Sequence, residues 1–536
     1  MVYYSKFPAR KVSNTVPLHN LIFDEKRTKV PRDKTLYYDI ENPEKQITFG
    51  QAHEQILKVG AALQKVFDLK RGDVIAVCSP NQVEYPIILL GAHCVGVVPA
   101  AIDYASSPAN IASDLDIVKP KVVIAHPETL DNVLEAIKIY GLDQSNVLVL
   151  GSQDIKGIRA VDTTLLGGDE LATPYNYTPE EIVNDPAYLY FTSGTTGRKK
   201  AVIITQYMLI NYLTLIDEIQ IPVANMLGYT EFHHASSVLI AMHQCLFMGS
   251  PVYVMPHYSF DKLCAAIEKY QINMMVLQPY ILSALAKEQV TSKYNLTSLK
   301  SVICCGAALD QSVISTVKER LNIDVFNGYG MTEIVGLFVT TPAISLSGGL
   351  GYLASGYSAK LIDEEGNEVP TGQMGELIVK GPTMTVGYYK NPEATAAAMD
   401  AEGYLHTGDL LRCDETGMFF YVDRAKDLIK YQRHQIYPHD IETVLMGHPK
   451  VSDCAVIGVY YPEIVTELPR AYVLLANSEK HSDAVAEEIK EYVHSRLPEH
   501  KHLRGGLIIV DSFPRTPIGK IKRRVLRQQA NEALRA

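Results

Sequence analysis

Apolar positions alternate between helical and strand spacing along the first third of the chain. Residues 49–63 carry apolar side chains at the three-to-four-residue spacing of an amphipathic helix. Short β-branched runs at 73–78 and 121–125 are typical of buried strands. Such alternation over 47–150 predicts helices packed on mainly parallel sheets, an α/β fold.

The alternation of helical and strand spacing continues to about residue 348 and then changes. Residues 85–104 predict a buried helix that leads into a buried strand, and further strands are predicted at 250–255, 273–277 and 301–305. After residue 348 short strands alternate with turn sequences, which indicates a β-rich subdomain. The last ~110 residues combine two strands with a charged amphipathic helix over 483–497, which predicts a small separate α+β unit.

Composition narrows the class of protein. The 536 residues include 50 basic and 60 acidic side chains, a net charge of −10, and 47% are hydrophobic. Disorder is excluded, and the acidity argues against nucleic acid as a partner. The apolar run 85–104 is interrupted by Pro86, His93 and Pro99, so no membrane span is predicted. Eight scattered cysteines without CxxC spacing predict reduced thiols and a cytoplasmic location.

The most informative segment is 188–202, where a short apolar strand enters a Ser/Thr/Gly loop followed by two lysines and a second strand. Glycines let backbone approach a ligand closely, and hydroxyls, N–H groups and a lysine suit a polyphosphate. The alternative is an ordinary turn, and the Walker A pattern is absent. The candidate phosphate-binding residues are Thr192, Ser193, Gly194, Thr195, Thr196, Gly197 and Lys200.

This segment resembles the signature loop of the adenylate-forming superfamily, which contains acyl- and aryl-CoA ligases, luciferases and peptide-synthetase adenylation domains. Further motifs follow in that family's order, at 305–308, 327–333, 375–382, 403–409, 423–430 and 514–520. Within the family the chain is most similar to 4-coumarate–CoA ligase-like enzymes and luciferase. The resemblance implies a large N-terminal domain, made of two helix-flanked sheets and a β-rich subdomain, and a small mobile α+β cap.

The resemblance also implies the nucleotide site. The family joins a carboxylate to the α-phosphate of ATP, so cations and positioning matter most. Glu333 is expected to hold Mg²⁺, Thr332 to contact the α-phosphate and Tyr329 to stack on adenine. The other residues implied for nucleotide binding and catalysis are Asp409 and Arg424 at the ribose, Lys520 at the transferring oxygens, and Gly306, Ala307, Ala308, Asn327, Gly328 and Gly330 around the adenine.

An aromatic-His motif implies the carboxylate side of the site. In residues 231–236 the gapless match favours His234 as the functional histidine, with His233 as the alternative. The positions expected to line the acid pocket carry no charge, which implies a largely apolar, aromatic or medium-chain acid. They are Ser236, Ser237, Ile240, Cys304, Ala307, Gly328, Gly336 and Leu337.

The resemblance further implies two domains, 1–424 for ATP and acid and 425–536 as a cap, with a hinge near Lys426. Lys520 lies on the cap, so the domains must close for adenylation. Rotation about the hinge is then expected to bring Lys430 and Gln435 to the site for the second half-reaction.

Three departures from the family pattern concern that second step. Gln432 and Arg433 replace the usual Lys and Gly beside the pantetheine tunnel, and His257 replaces a Lys of the 4-coumarate type. An Arg at 433 either narrows the passage or supplies a new phosphate contact. The expected co-substrates are ATP, Mg²⁺ and CoA. Amide formation on an amine acceptor stays open, as do a luciferase-like oxidation and a nucleotide-binding pseudo-enzyme.

Overall fold

The computed structural model describes residues 1–8, 12–192, 199–218, 222–287, 289–432, 434–476, 481–516 and 519–535. Five residues of the predicted phosphate loop (Ser193, Gly194, Thr195, Thr196 and Gly197) lie outside these ranges, as does Arg433. Their predicted roles are therefore not addressed by the structure.

The strands of the described residues follow in chain order. They are β1 (Tyr3–Tyr4), β2 (Thr35–Asp39), β3 (Gln46–Thr48), β4 (Val74–Cys78), β5 (Val98–Ile102), β6 (Val122–Ala125), β7 (Val147–Val149), β8 (Arg159–Ala160), β9 (Pro186–Thr192), β10 (Lys200–Thr205), β11 (Met226–Gly228), β12 (Val252–Val254), β13 (Met274–Leu277), β14 (Ser301–Cys305), β15 (Asp324–Gly328), β16 (Phe338–Val339), β17 (Tyr352–Leu353), β18 (Ser358–Ile362), β19 (Met374–Lys380), β20 (Leu405–Cys413), β21 (Phe419–Arg424), β22 (Ile429–Tyr431), β23 (His434–Ile436), β24 (Val451–Tyr461), β25 (Thr466–Leu475) and β26 (Leu507–Ile509).

The α-helices of the same residues lie between them. They are α1 (Leu18–Phe23), α2 (Phe49–Val66), α3 (Glu84–Cys94), α4 (Pro108–Val118), α5 (Leu130–Tyr140), α6 (Pro179–Asn184), α7 (Gln206–Glu218), α8 (Ala235–Ser237), α9 (Cys245–Met248), α10 (Phe260–Tyr270), α11 (Pro279–Lys287), α12 (Gln311–Leu321), α13 (Pro342–Leu346), α14 (Pro392–Ala398), α15 (Pro438–Met446), α16 (Asp483–His494) and α17 (Arg523–Arg535). A π-helical segment, Val238–Gln244, joins α8 to α9.

Two seven-stranded sheets form the body of the molecule. The first has the order β10-β9-β5-β4-β6-β7-β8 and is parallel except for the β9–β10 pair. The second has the order β15-β14-β13-β11-β12-β2-β3 and is parallel except for β2–β3. Their strands are short and β-branched, and helices such as α2 and α3 pack against them, as expected for sheets covered on both faces.

The β-rich part is an antiparallel sheet of order β1-β18-β19-β20-β21. Beyond it, the hairpin β22–β23 and the sheet β24-β25-β26 belong to the C-terminal unit, with α15, α16 and α17. This unit has its own apolar core, which includes Ile441, Val456 and Ile489.

The predicted α/β fold with a β-rich subdomain and a small α+β unit is confirmed. The run 85–104 forms α3 and β5, both almost wholly buried, and the eight cysteines are unpaired. Among the described residues, no helix has both the length and the apolar composition that a bilayer crossing requires. The boundary at 424/425 and the mobility of the cap stay predictions.

Candidate active site

The antiparallel pair β9–β10 carries the two ends of the predicted phosphate loop. Its register places Lys200 directly opposite Thr192, so the loop leaves and re-enters the sheet at one edge. The Lys200 ammonium lies over the ring of Tyr388, with Nζ 4.6 Å from the ring centroid. Tyr388 is held there by a bridge to Val202 of β10. The structure thus brings Thr192 and Lys200 together, and their role in phosphate binding stays a prediction.

The two lysines of the motif have different surroundings. Lys199 forms a 2.7 Å ion pair with Asp114, a buried carboxylate of α4. Burial raises the pKa of Asp114, and the nearby Lys199 ammonium opposes that shift. The sequence predicts Lys200 as the cation that binds phosphate. Of these two lysines, it is Lys199 that forms the ion pair with a buried carboxylate.

Glu333 is a buried carboxylate at the end of a tight turn. Reciprocal backbone hydrogen bonds between Met331 and Ile334 form this turn, which also presents the half-buried Thr332. The Tyr388 hydroxyl donates to Glu333 Oε1 at 2.9 Å, and the described residues supply no hydrogen-bond partner for Oε2. Burial raises the pKa of Glu333, against the opposing effects of the Tyr388 hydroxyl and the Lys200 charge.

That unpartnered oxygen fits a divalent cation. A buried carboxylate oxygen without a donor is unstable as an anion, and a hard carboxylate oxygen is a preferred Mg²⁺ ligand. The residues present around Glu333 therefore suit the metal that the sequence predicted there.

Asp409 and Arg424 form the other half of the predicted nucleotide site. They are paired residues of β20 and β21, and Arg424 Nε lies 3.0 Å from Asp409 Oδ1. The Tyr329 hydroxyl donates to Asp409 Oδ2 at 2.8 Å. Asp409 is only 3% exposed, and the half-buried Tyr329 phenol has a pKa raised by desolvation and by this carboxylate. Three predicted residues from separate motifs thus meet in one contact group.

Lys520 reaches this site from the C-terminal unit. Its Cε lies 3.6 Å from the point where a Cβ on Gly306 would stand, and Gly306 has a positive φ of 97°. Burial and the Arg424 charge lower the pKa of Lys520 to about 8, while Asp409, Cys305 and Glu333 act in the opposite direction. The structure therefore brings Lys520 beside residues of the large body that the sequence predicted for the ribose and the adenine.

The rest of the adenine-side set lies at the carboxyl ends of β14 and β15. Parallel pairing aligns Cys304 with Asn327 and Cys305 with Gly328, and the Asn327 N–H donates to Ser345 Oγ at 2.8 Å. The predicted positions after these strands, which are half-buried or exposed, are Gly306, Ala307, Ala308, Tyr329 and Gly330.

The aromatic-His segment is held by Asn81. The buried Asn81 side chain accepts from the Phe232 N–H at 2.7 Å and donates to Gly228 O and Thr230 O. His233 is 6% exposed and His234 is half-buried, and their ring centroids lie 4.4 Å apart. Burial, with smaller effects of His234 and Lys199, holds the pKa of His233 well below its usual value.

The predicted acid-pocket residues are spread over several surroundings. Ser237 is buried, and its hydroxyl donates to Glu231 O at 3.1 Å, while Ser236 and Ile240 are half-buried. Cys304 and Leu337 are fully buried in two different apolar cores. Gly336 lines a cavity of about 210 Å³ with Tyr207, Asn211, Leu215 and Tyr357.

The described residues predicted for the second step lie on the surface. Lys430 and Gln435 face each other across the β22–β23 hairpin, and both are exposed, as is Gln432. Gln435 Nε2 lies 3.5 Å from Glu364 of the β-rich part. His257 is exposed and contacts Glu41 at 2.9 Å and Glu128 at 3.1 Å, so carboxylates occupy both ring nitrogens and raise its pKa.

Sequence reasoning did not find Tyr388 or Tyr280. Tyr388 connects Lys200 to Glu333, and its only local signal is an aromatic pair after Gly387. Tyr280 packs so closely on Gly519 that a Cβ there would lie 2.3 Å from its ring. These contacts join residues distant in sequence, so no spacing within one motif indicates them.

This fold defines the class of adenylate-forming enzymes. It consists of two mainly parallel sheets, a β-rich part and a small C-terminal unit that carries Lys520. Residues 23–389 match the family model "AMP-binding enzyme", and residues 440–520 match "AMP-binding enzyme C-terminal domain". The chain belongs to the AMP-binding enzyme family.

Relatives and solved structures agree with this assignment. A phenylacetyl-CoA ligase of Aspergillus niger is 31% identical, covering 97% of this chain and 98% of its own length. Luciferin 4-monooxygenase of Photinus pyralis is 30% identical, covering 92% of this chain and 91% of its own. An anthranilate CoA ligase in complex with anthranoyl-AMP shares the fold with a TM-score of 0.88 at 22% identity, covering 98% of this chain and 99% of that one. An amide bond synthetase of Marinactinospora thermotolerans shares it with a TM-score of 0.80 at 22% identity, covering 96% and 99%.

Proposed function

We propose that this protein is an AMP-forming carboxylic acid–CoA ligase. It joins a largely apolar acid to the α-phosphate of ATP and then transfers the acyl group to the thiol of CoA. The contact of Lys520 with the Gly306 loop, beside Asp409, Arg424 and Glu333, carries the proposal. The family assignment and the phenylacetyl-CoA ligase relative support it.

In the first step a carboxylate oxygen attacks the α-phosphorus, and the bond to the β-phosphate oxygen breaks to release pyrophosphate. Both reactants are anions, so the chain's cations bring them together and stabilise the charge that develops on the phosphoryl oxygens. We assign Lys520 and Thr332 to those oxygens, and Lys200 with Thr192 to the phosphates that leave. Asp409 accepts hydrogen bonds from the ribose hydroxyls, and Arg424 fixes its carboxylate.

Mg²⁺ supplies charge neutralisation of the phosphates when it is bound, and Glu333 is the residue assigned to hold it. Tyr388 orients that carboxylate through its 2.9 Å hydrogen bond, so Oε2 is left for the metal. His234 is assigned to the carboxylate of the acid, beside the half-buried Ser236.

For the second step, the exposed hairpin with Lys430 and Gln435 must replace Lys520 at the site, by rotation of residues 425–536 near Lys426.

Transfer of the acyl group to an amine instead of CoA is the second candidate function. His257, at the position expected to meet CoA, is bound to two carboxylates that repel CoA phosphates. A cytoplasmic location completes the proposal.

The test is acid-dependent release of pyrophosphate from Mg·ATP across a panel of aromatic and medium-chain acids, followed by mass spectrometry with CoA or an amine present. We expect release with apolar acids and an acyl-CoA product. An amide product without acyl-CoA would favour the second candidate. Absence of pyrophosphate with every acid would contradict both and favour a pseudo-enzyme.

A further inference from the structure

A group of three metal-ligating side chains lies in the aromatic-His segment. Glu231, His233 and His234 each offer one ligand atom, and these atoms all lie within 4.8 Å of one another. Glu231 Oε2 is 3.4 Å from His233 Nε2 and 3.5 Å from His234 Nε2. In a tetrahedral zinc site with bonds of about 2.0–2.2 Å, neighbouring ligand atoms lie about 3.4 Å apart. Two of the distances between ligand atoms in this group therefore already match those of a tetrahedral zinc site.

The ligand atoms also lack hydrogen-bond partners among the described residues, although Asp103 Oδ1 lies 3.9 Å from His233 Nε2. The described residues supply no hydrogen bond to Glu231 Oε2, to His234 Nε2 or to either ring nitrogen of His233, although His233 is 94% buried. Leaving a buried polar atom unpaired costs roughly 1–3 kcal/mol. One cation that accepts electron pairs from all three side chains would satisfy these neighbouring atoms together.

Surrounding contacts fix the geometry of the group. The Tyr104 hydroxyl donates to Glu231 Oε1 at 3.2 Å, which turns Oε2 toward the histidines. The His234 N–H donates to Glu231 O at 3.1 Å, and Asn81 anchors Phe232 between them. Partners of this kind orient metal ligands and are a normal part of zinc sites.

We propose that Glu231, His233 and His234 form a binding site for one Zn²⁺ ion, separate from the Mg²⁺ site assigned to Glu333. Two imidazoles and one carboxylate suit Zn²⁺, whereas Mg²⁺ prefers oxygen ligands. Three protein ligands leave the fourth position for water or an incoming carboxylate. Bound Zn²⁺ holds His234, so it inhibits acid activation; this consequence, unlike the binding, rests on the proposed function.

Metal titration of the full-length protein, after treatment with a chelator, tests the binding without ATP or acid. We expect one equivalent of Co²⁺ to give the visible absorption of a tetrahedral site, and Zn²⁺ to displace it. Glu231→Gln removes a ligand at nearly constant size and should abolish stoichiometric binding. Tyr104→Phe removes only the orienting hydroxyl and should weaken it roughly 10- to 100-fold.

The control variant is His500→Asn, because His500 and His434 form another close imidazole pair, with ring centroids 4.6 Å apart. It should leave the titration unchanged, and thermal unfolding checks that each variant is folded. Failure of the wild-type protein to bind Co²⁺ stoichiometrically, full binding by Glu231→Gln, or loss of binding in His500→Asn would overturn the proposal. None of these results depends on pyrophosphate release, so they test metal binding independently of the proposed function.

The inhibitory consequence has its own measurement, the Zn²⁺ concentration that halves pyrophosphate release in excess Mg²⁺. We expect Glu231→Gln to raise it at least about tenfold relative to wild type, in line with the loss of a metal-site contact. Equal sensitivity of the two proteins would place the inhibition elsewhere, for example at Glu333.

Discussion

Asp409 and Arg424 illustrate what single residues in a sequence reveal. Their motifs predicted that both belong to the nucleotide site, and the register of β20 and β21 pairs them directly. The hydrogen bond from Tyr329 to Asp409 was not predicted, because it joins residues 80 positions apart. The sequence predicted Tyr329 as an adenine-stacking residue, and that role stays a prediction.

Tyr388 is the site residue that the sequence did not indicate, and its contact with Glu333 can be tested. Tyr388→Phe removes one hydroxyl from a buried carboxylate, a hydrogen bond worth about 1.5–3 kcal/mol. Because the pKa of Glu333 then rises further, we expect the Mg²⁺ concentration for half-maximal pyrophosphate release to increase roughly tenfold. Tyr389→Phe alters the neighbouring ring and should leave it unchanged. An unchanged Mg²⁺ requirement in Tyr388→Phe would contradict the assignment of Glu333.

The lowered pKa of Lys520 predicts a pH dependence. Below about pH 8 the side chain is a cation, and above it the cation that stabilises the transferring oxygens is lost. We expect kcat/KM for ATP to fall about tenfold for each pH unit above this pKa, since kcat/KM reports groups of the free enzyme. Lys520→Arg, which stays protonated, should lose this dependence. A wild-type profile that is flat through pH 9 would show that Lys520 does not carry the charge.

At the scale of elements, α11 fixes the C-terminal unit against the body. Lys287 at its end donates to Met446 O at 2.8 Å and Val451 O at 2.9 Å, and Ser283 donates to Ser452 O at 3.2 Å. The unit that these contacts dock carries Lys520 and the exposed β22–β23 hairpin. The elements themselves follow from apolar periodicity, but contacts between α11 and β24 depend on the docking of two units.

Lys287→Met tests whether this docking serves adenylation. The change keeps the side-chain length and removes two hydrogen bonds from a charged donor, about 1.5–3 kcal/mol each. We expect acyl-AMP formation to slow roughly tenfold, while transfer from preformed acyl-AMP to the acceptor is not slowed, as single-turnover measurements would show. Lys293→Met, on an exposed position nearby, serves as the control. Equal slowing of both steps would contradict a docking role specific to the first.

Across the whole molecule, the alternating pattern of strands and helices predicted mainly parallel sheets and a change to a β-rich part after residue 348, and the family resemblance implied that there are two such sheets. The small C-terminal unit followed from its own strands and helix. The resemblance implied that the face carrying Lys520 meets the body, but the packing that docks it, such as Tyr280 against Gly519, could not be predicted because it joins residues distant in sequence. The rotation of the C-terminal unit relative to the body stays a prediction.

Lys520, which lies at the junction of the two units, is the residue to which we assign the first step. The most direct test of this assignment is acid-dependent pyrophosphate release by Lys520→Ala, beside Lys522→Ala, which removes an exposed lysine two residues away. We predict at least about a 100-fold loss for Lys520→Ala, the scale of removing one stabilising group from a transition state, with ATP affinity only modestly weaker. Lys522→Ala should match wild type. Undiminished pyrophosphate release by Lys520→Ala would contradict the account.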